Sequence, residues 1–166
     1  CGVRPGLKWP NDPVLGGKKL CGILTELSME GETGRVQYLV LGIGVNVGQR
    51  LEDFSPEVAE MATSLSIALG RPVSRPALAA AEIRALDRLY ADLLAGNLAP
   101  YLAAYRRDCV NLGKSVQLIS PDGSRETAQA LDVDDDFSLV VRTAAGEIRT
   151  VRSGEVSVRG MYGYIE

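Results

Sequence analysis

The 166-residue sequence contains no histidine. A Ser-His-Asp triad, a Cys-His nucleophile pair and a zinc site built on imidazole are therefore excluded within it. Its cysteines, Cys1, Cys21 and Cys109, are odd in number and far apart, and no CxxC spacing occurs. This argues against a disulfide framework or a zinc ribbon and for free thiols in a reducing cytosol, so a cytoplasmic location is expected. An excess of one charge is also missing. Eighteen basic against 21 acidic residues leave a net charge of -3, which gives no support to a nucleic-acid or lipid surface. The apolar runs are too short to span a bilayer, and no signal-peptide pattern opens the chain. Lysine is scarce: Lys8, Lys18, Lys19 and Lys114 are the whole set, and three of them fall in the first 19 positions. The chain starts at Cys1 rather than Met, from which a fragment, a processed product or a trimmed chain is expected.

Three zones follow one another. Residues 6–47 read as strands and turns. Pro10 pushes Trp9 to an extended conformation, and Asn11-Asp12-Pro13 and Gly16-Gly17 are turn signals. Gly22 to Met29 and Val36 to Val47 are β-rich runs that the linker 30–34 would close as a hairpin. Residues 48–60 are polar, contain a proline and read as a mobile loop. Helical spacing follows over Ala62 to Leu69, then from a Ser74 cap through Leu78, Ile83, Leu86, Leu89, Tyr90 and Leu93 to Gly96, then over Leu98 to Val110. After Leu112-Gly113 the period returns to strands. Four or five short ones separated by Pro121-Asp122-Gly123, Asp134-Asp135-Asp136 and Ala145-Gly146 predict a small closed β-barrel. The boundary is placed there, giving units 1–111 and 112–166.

Alternation along Val36 to Val47 puts Leu39, Leu41, Ile43, Val45 and Val47 on one face, read as a core stripe. Val40, Gly42, Gly44 and Asn46 share the other. That face loses its side chains twice and then presents a carboxamide. A flat ligand such as a nucleobase would fit there, with tight packing or a bulge as the alternatives. The spacing is not the dinucleotide-binding G-x-G-x-x-G pattern. Upstream, Lys8 and Asp12 flank the Trp9-Pro10-Asn11 turn, and Lys18 and Lys19 lead into the strand that holds Gly22. Such lysines suit a phosphate or a carboxylate as compact point charges. A solvated hairpin tip is the alternative for the lysines, and a plain core aromatic for Trp9. The three acids at 134–136 read as a solvated turn, against a metal site.

The runs Lys8-Trp9-Pro10-Asn11-Asp12, Lys18-Lys19-Leu20-Cys21-Gly22-Ile23-Leu24 and Gly42-Ile43-Gly44-Val45-Asn46-Val47, in that order and spacing, resemble the biotin–protein ligases (biotin–[acetyl-CoA-carboxylase] ligases). The resemblance implies an α+β fold: the second half of a class II synthetase-like biotin/lipoate ligase domain with a mostly antiparallel sheet, then an all-β SH3-like barrel. It implies an ATP-dependent, AMP-forming enzyme that makes biotinyl-5′-AMP from biotin and ATP, with Mg2+. The biotinyl group then passes to a lysine of a biotin carboxyl carrier protein. On this footing Lys19 and Asp12 are the catalytic residues. Lys19 meets the biotin carboxylate and acyl-phosphate, and Asp12 takes the proton from the incoming lysine. Lys8, Trp9, Pro10, Asn11, Gly22 and Ile23 line the biotin and phosphate region. Gly42, Gly44 and Asn46 form the adenylate floor, and Phe54 or Leu51 of the loop 48–60 covers the purine.

The family's G-R-G-R-x-G-R-x-W loop does not occur in this sequence. The 166 residues alone are therefore expected not to make the adenylate. A DNA-binding helix-turn-helix, carried by some members, is not found in it either. The alternatives are a lipoate-type acyl-adenylate transferase and a non-enzymatic module built on the barrel. No protein-held metal, no membrane and no nucleic-acid partner are expected for this chain. The hairpin 22–47 is a candidate homodimer edge.

Overall fold

The computed structural model describes residues 2–154, 157–160 and 165. It is an α+β chain whose strand pairs are antiparallel. Three short strands come first: β1 (Gly6–Lys8), β2 (Asp12–Leu15) and β3 (Lys18–Lys19), in that spatial order. The turn at 9–11 joins β1 to β2, with Lys8 paired to Asp12, and its Trp9-Pro10 peptide is cis. Gly16 and Gly17, both at positive φ, turn β2 into β3, where glycine alone adopts the backbone without strain.

Next comes the expected hairpin, β4 (Cys21–Met29) against β5 (Val36–Val45), two residues shorter at its end than the sequence predicts. The core stripe along it is corrected by the structure. Leu39 and Leu41 are exposed, at 56% and 39%, and so are Leu24, Leu27, Tyr38 and Val40. Alternation tells which residues share a face, but not what covers that face. Among the described residues nothing packs on either side of the outer half of this two-stranded ribbon. Only its base, near Cys21, Val45 and Val47, is tied into the protein.

The stretch read as a mobile loop is ordered into a 3-10 turn at Leu51–Asp53 and helix α1 (Pro56–Met61). Helix α2 (Leu65–Leu69) starts later than expected because Ala62 instead forms a bridge with Lys19. The Ser64 hydroxyl caps α2 by accepting from the Ile67 N–H (3.1 Å) and donates to the Gln49 carbonyl (2.6 Å); Gly70 closes the helix in the left-handed region. Helix α3 (Arg75–Leu94) has the expected Ser74 cap, but its apolar positions Ile83, Tyr90 and Leu93 are exposed. Helix α4 is Ala99–Asp108.

A five-stranded sheet completes the chain: β6 (Ser115–Ile119), β7 (Arg125–Val133), β8 (Leu139–Thr143), β9 (Ile148–Val151) and β10 (Ser157–Gly160). Its order is β10-β6-β7-β8-β9. Strict alternation buries Val116 and Leu118, then Ala128 and Ala130. A register shift between Ala130 and Asp132 lets Val133, three residues on rather than two, face inward as well. Trp9, Leu102 and Cys109 join this core from the preceding segments, so the sheet is packed onto β1 and α4. The three acids form a turn: Asp134 Oδ1 accepts the N–H groups of Asp136 (3.0 Å) and Ser138 (2.8 Å).

Candidate functional site

A cavity of about 570 Å³ lies at the base of the hairpin, lined by Asn11, Asp12, Lys19, Gly22, Ile23, Leu24, Gly42, Ile43 and Gly44. Its floor is rich in glycine on both strands, with Leu24 the side chain that shares the glycine face. Gly22 stands directly opposite Gly44, and Leu24 opposite Gly42, so these four residues share one face. The pairing is regular here; the hairpin's only register shift lies at Ser28/Met29. A Cβ added at Gly42 would come no closer than 3.7 Å to Leu24, and one at Gly44 no closer than 3.8 Å to Gly22. Those are ordinary contacts, so neither a bulge nor tight packing within the chain requires these glycines. The strip is an open shelf. At Gly22 an added Cβ would meet Lys19 Cε at 3.4 Å, which ties this glycine to the path of the lysine side chain.

Lys19 and Asp12 meet at one edge of the shelf, Nζ to Oδ1 at 2.6 Å. The other carboxylate oxygen of Asp12 faces Lys8 Nζ at 3.8 Å. A single carboxylate thus stands between two ammonium groups, one nearly buried and one partly open to the cavity. Burial holds the Lys8 ammonium below the ordinary lysine range, and the Asp12 carboxylate opposes that effect. The backbone around Lys19 is held on both sides: the Thr63 N–H donates to the Lys19 carbonyl (2.9 Å) and the Leu20 N–H to the Pro13 carbonyl (2.9 Å). Asn11 Nδ2 donates to the Ile23 carbonyl at 2.6 Å, fastening the turn to the hairpin.

The structure gathers Asn11, Asp12, Lys19, Gly22, Ile23, Gly42 and Gly44 around one cavity. Four others lie off the wall of this cavity. Trp9 is fully buried in the core of the C-terminal sheet, donating from Nε1 to the Phe137 carbonyl at 2.9 Å. The core reading of this aromatic therefore holds. Lys8 is 5% exposed and reaches the cavity only through Asp12. Pro10 lines a neighbouring cavity of about 420 Å³ beside Tyr105, Phe137 and Ser138. Asn46 lies beyond the end of β5; its backbone donates to the Leu20 carbonyl and accepts from the Leu65 N–H, and it is not on the cavity wall. Lys18 turns away and donates to the Ala59 carbonyl at 2.8 Å. Leu24 was missed by the sequence reading of the site, although it follows Gly22 by two and so shares its face. Cys21 and Cys109 are free and buried, and burial raises both thiols, so neither is an activated nucleophile.

A lysine ammonium and a carboxylate at the rim of a glycine-lined shelf can neutralise an anion and accept a proton beside a flat group. Fold and site together define an α+β chain with a lysine–carboxylate pair beside an open glycine strip and a five-stranded antiparallel sheet at its C-terminal end. Residues 112–159 match the family described as Biotin protein ligase C terminal domain. The chain is 31% identical over 157 residues to the Bifunctional ligase/repressor BirA of Bacillus spizizenii, covering 95% of this chain and 47% of that protein. It is 36% identical over 156 residues to the Biotin--[acetyl-CoA-carboxylase] ligase of Mycobacterium tuberculosis, covering 93% of this chain and 53% of that protein. The solved structure of the biotin protein ligase from Aquifex aeolicus in complex with biotin and ATP superposes with a TM-score of 0.80 at 25% identity, covering 95% of this chain and 63% of that one. The chain belongs to the biotin protein ligase family. It spans about half the length of the curated relatives it matches.

Proposed function

We propose that the chain carries the second half of the ligase domain of a biotin–[acetyl-CoA-carboxylase] ligase (residues 1–111) and its SH3-like C-terminal unit (residues 112–166). The reaction is the ATP-dependent formation of biotinyl-5′-AMP with release of pyrophosphate. Biotin then passes to a lysine of a biotin carboxyl carrier protein in the cytoplasm. The observation that carries this reading is the Lys19–Asp12 pair at 2.6 Å beside the Gly22/Gly42/Gly44 shelf. In the first step a carboxylate approaches a triphosphate, and the Lys19 ammonium offsets the crowded negative charge. Mg2+ accompanies the ATP; among the described residues no group of His, Cys, Asp or Glu gathers to hold a metal. In the second step the carrier amine attacks the acyl carbon, the bond to the phosphate oxygen breaks, AMP leaves with the electron pair, and Asp12 takes the amine proton. Lys8, behind Asp12, keeps that carboxylate in a positive field. Asn46 serves the adenine end of the ligand at the limit of the shelf. Among the described residues no further strand pairs with the β4–β5 hairpin, and its outer edges offer a surface to a second copy; a single monomer boundary in sedimentation would count against that.

Calorimetric titration with biotinyl-5′-AMP and with lipoyl-5′-AMP tests the reading. Tighter binding of the biotinyl compound, lost in Lys19→Ala, supports it. A preference for the lipoyl compound transfers the chain to the lipoate-type enzymes, and binding of neither leaves a non-enzymatic module. Because the sequence contains no arginine-rich G-R-G-R-x-G-R-x-W loop, the 166-residue chain mixed with biotin and ATP should release no pyrophosphate. Measurable release would refute that part.

A further inference from the structure

Three hydrogen bonds reach the Trp9–Asn11 turn from far along the chain. The Trp9 backbone N–H donates to Asn111 Oδ1 at 2.8 Å, and its indole N–H to the Phe137 carbonyl at 2.9 Å. The Tyr105 hydroxyl donates to the Pro10 carbonyl at 2.8 Å. The β1–β2 ladder ends at the Lys8–Asp12 pair, so the turn itself lies outside regular pairing, and two of its backbone groups, the Trp9 N–H and the Pro10 carbonyl, are satisfied by these distant side chains. Asn111 is fully buried between α4 and β6. The Tyr105 ring stands edge-on to Phe137, with centroids 5.7 Å apart and planes at 89°, which fixes the direction of its hydroxyl. Burial also raises the Tyr105 phenol, so it remains a donor throughout the neutral range. Beyond the turn the same backbone presents Asn11 to the Ile23 carbonyl and Asp12 to Lys19, each at 2.6 Å.

We propose that Tyr105 and Asn111 are positioning residues of the candidate site: their hydrogen bonds to Pro10 and Trp9 set the turn that holds Asn11 against the hairpin and Asp12 against Lys19. The proposal rests on the Lys19–Asp12 reading given above. Neither residue lines the cavity that holds this pair. Each acts through a backbone group two residues or fewer from a residue that does. A substitution here therefore changes the spacing of the pair while leaving every group in the cavity chemically intact.

The test uses Tyr105→Phe, which removes one hydroxyl and keeps the ring against Phe137, together with Asn111→Ala. The control is Tyr101→Phe on the same helix, whose hydroxyl donates to Asp92 Oδ2 (2.6 Å), away from the turn. Two readouts are taken: the Lys19 side-chain Cε and Asn11 Nδ2 resonances of the ligand-free protein, and the Kd for biotinyl-5′-AMP. In Tyr105→Phe both resonances should move and the Kd should rise about five- to tenfold, the cost of one lost orienting hydrogen bond. Asn111→Ala should act in the same direction; if it fails to fold, Tyr105→Phe carries the test. Tyr101→Phe should change neither readout. A Tyr105→Phe protein with a lower Tm but wild-type resonances and wild-type Kd overturns the proposal, because Tyr105 would then be structural only. A wild-type chain that binds no biotinyl-5′-AMP overturns the function proposed above, and the two resonances then decide the positioning by themselves.

Discussion

Gly22 and Gly44 face each other across the β4–β5 hairpin, and neither glycine of the Gly42/Gly44 strip is required by a neighbour in the chain. Glycine inside a strand costs stability, typically about 0.5–1 kcal/mol against alanine. Gly44→Val should therefore fold at least as stably as the wild type, gaining up to about 1 kcal/mol from strand preference. The same change plants a branched side chain on the shelf and should weaken biotinyl-5′-AMP about tenfold or more. Denaturation and titration on one preparation check both halves. A stable Gly44→Val protein with unaltered affinity would show that the ligand does not lie on this shelf.

Gly6 is the opposite case. A Cβ there would sit 2.4 Å from Val110 Cγ1, which no real contact tolerates. Gly6→Ala should destabilise the protein by about 1–3 kcal/mol through forced repacking. Adding Val110→Ala, which removes the opposing methyl groups, should recover part of that loss, and a double-mutant cycle in urea measures the coupling. Strictly additive effects would contradict the contact.

Trp9 is the sole tryptophan and has no exposed surface. Acrylamide should quench its fluorescence poorly, and biotinyl-5′-AMP should not shield it further. Trp9→Ala should cost about 3–5 kcal/mol as a large core deletion. A Trp9 strongly quenched in the free protein and protected by ligand would return it to the cavity wall.

Asp108 predicts an acid limb. Hydrogen bonds from Arg107 and then Arg4 hold its carboxyl at about 2, below the ordinary aspartate value. A depressed folded-state pKa means stability that is present above the ordinary aspartate value and lost as the pH falls toward about 2. The stability difference between wild type and Asp108→Asn should therefore be constant at neutral pH and close in that acid window. Both arginines are exposed, so added salt should shrink it. A difference that persists unchanged at pH 2 would contradict the assignment.

Much of this architecture is legible from residue order because it rests on local signals. Ser74 and Gly96 bracket α3, and the 30–34 linker closes the hairpin. What escaped is what depends on distant packing. Leu39 and Leu41 look like core by period, yet they are exposed because coverage is a tertiary property. Trp9 sits inside the same short motif as Asp12, yet its indole points into a sheet more than 100 residues away while Asp12 faces the cavity. The motif names both residues and cannot separate their directions. The link from Tyr105 and Asn111 to the turn has no signature along the chain, since its partners lie 95 and 102 positions apart.

The central claim is that the Lys19–Asp12 pair and the glycine shelf are where the adenylate binds. Its most direct test is chemical-shift mapping of the chain titrated with biotinyl-5′-AMP. The account predicts that the largest shifts fall on Lys19, Gly22, Gly42 and Gly44, and that they disappear in Lys19→Ala. Shifts centred instead on the apolar cavity of about 370 Å³ beneath Leu65 and Leu78, or a shelf response that survives in Lys19→Ala, would contradict it.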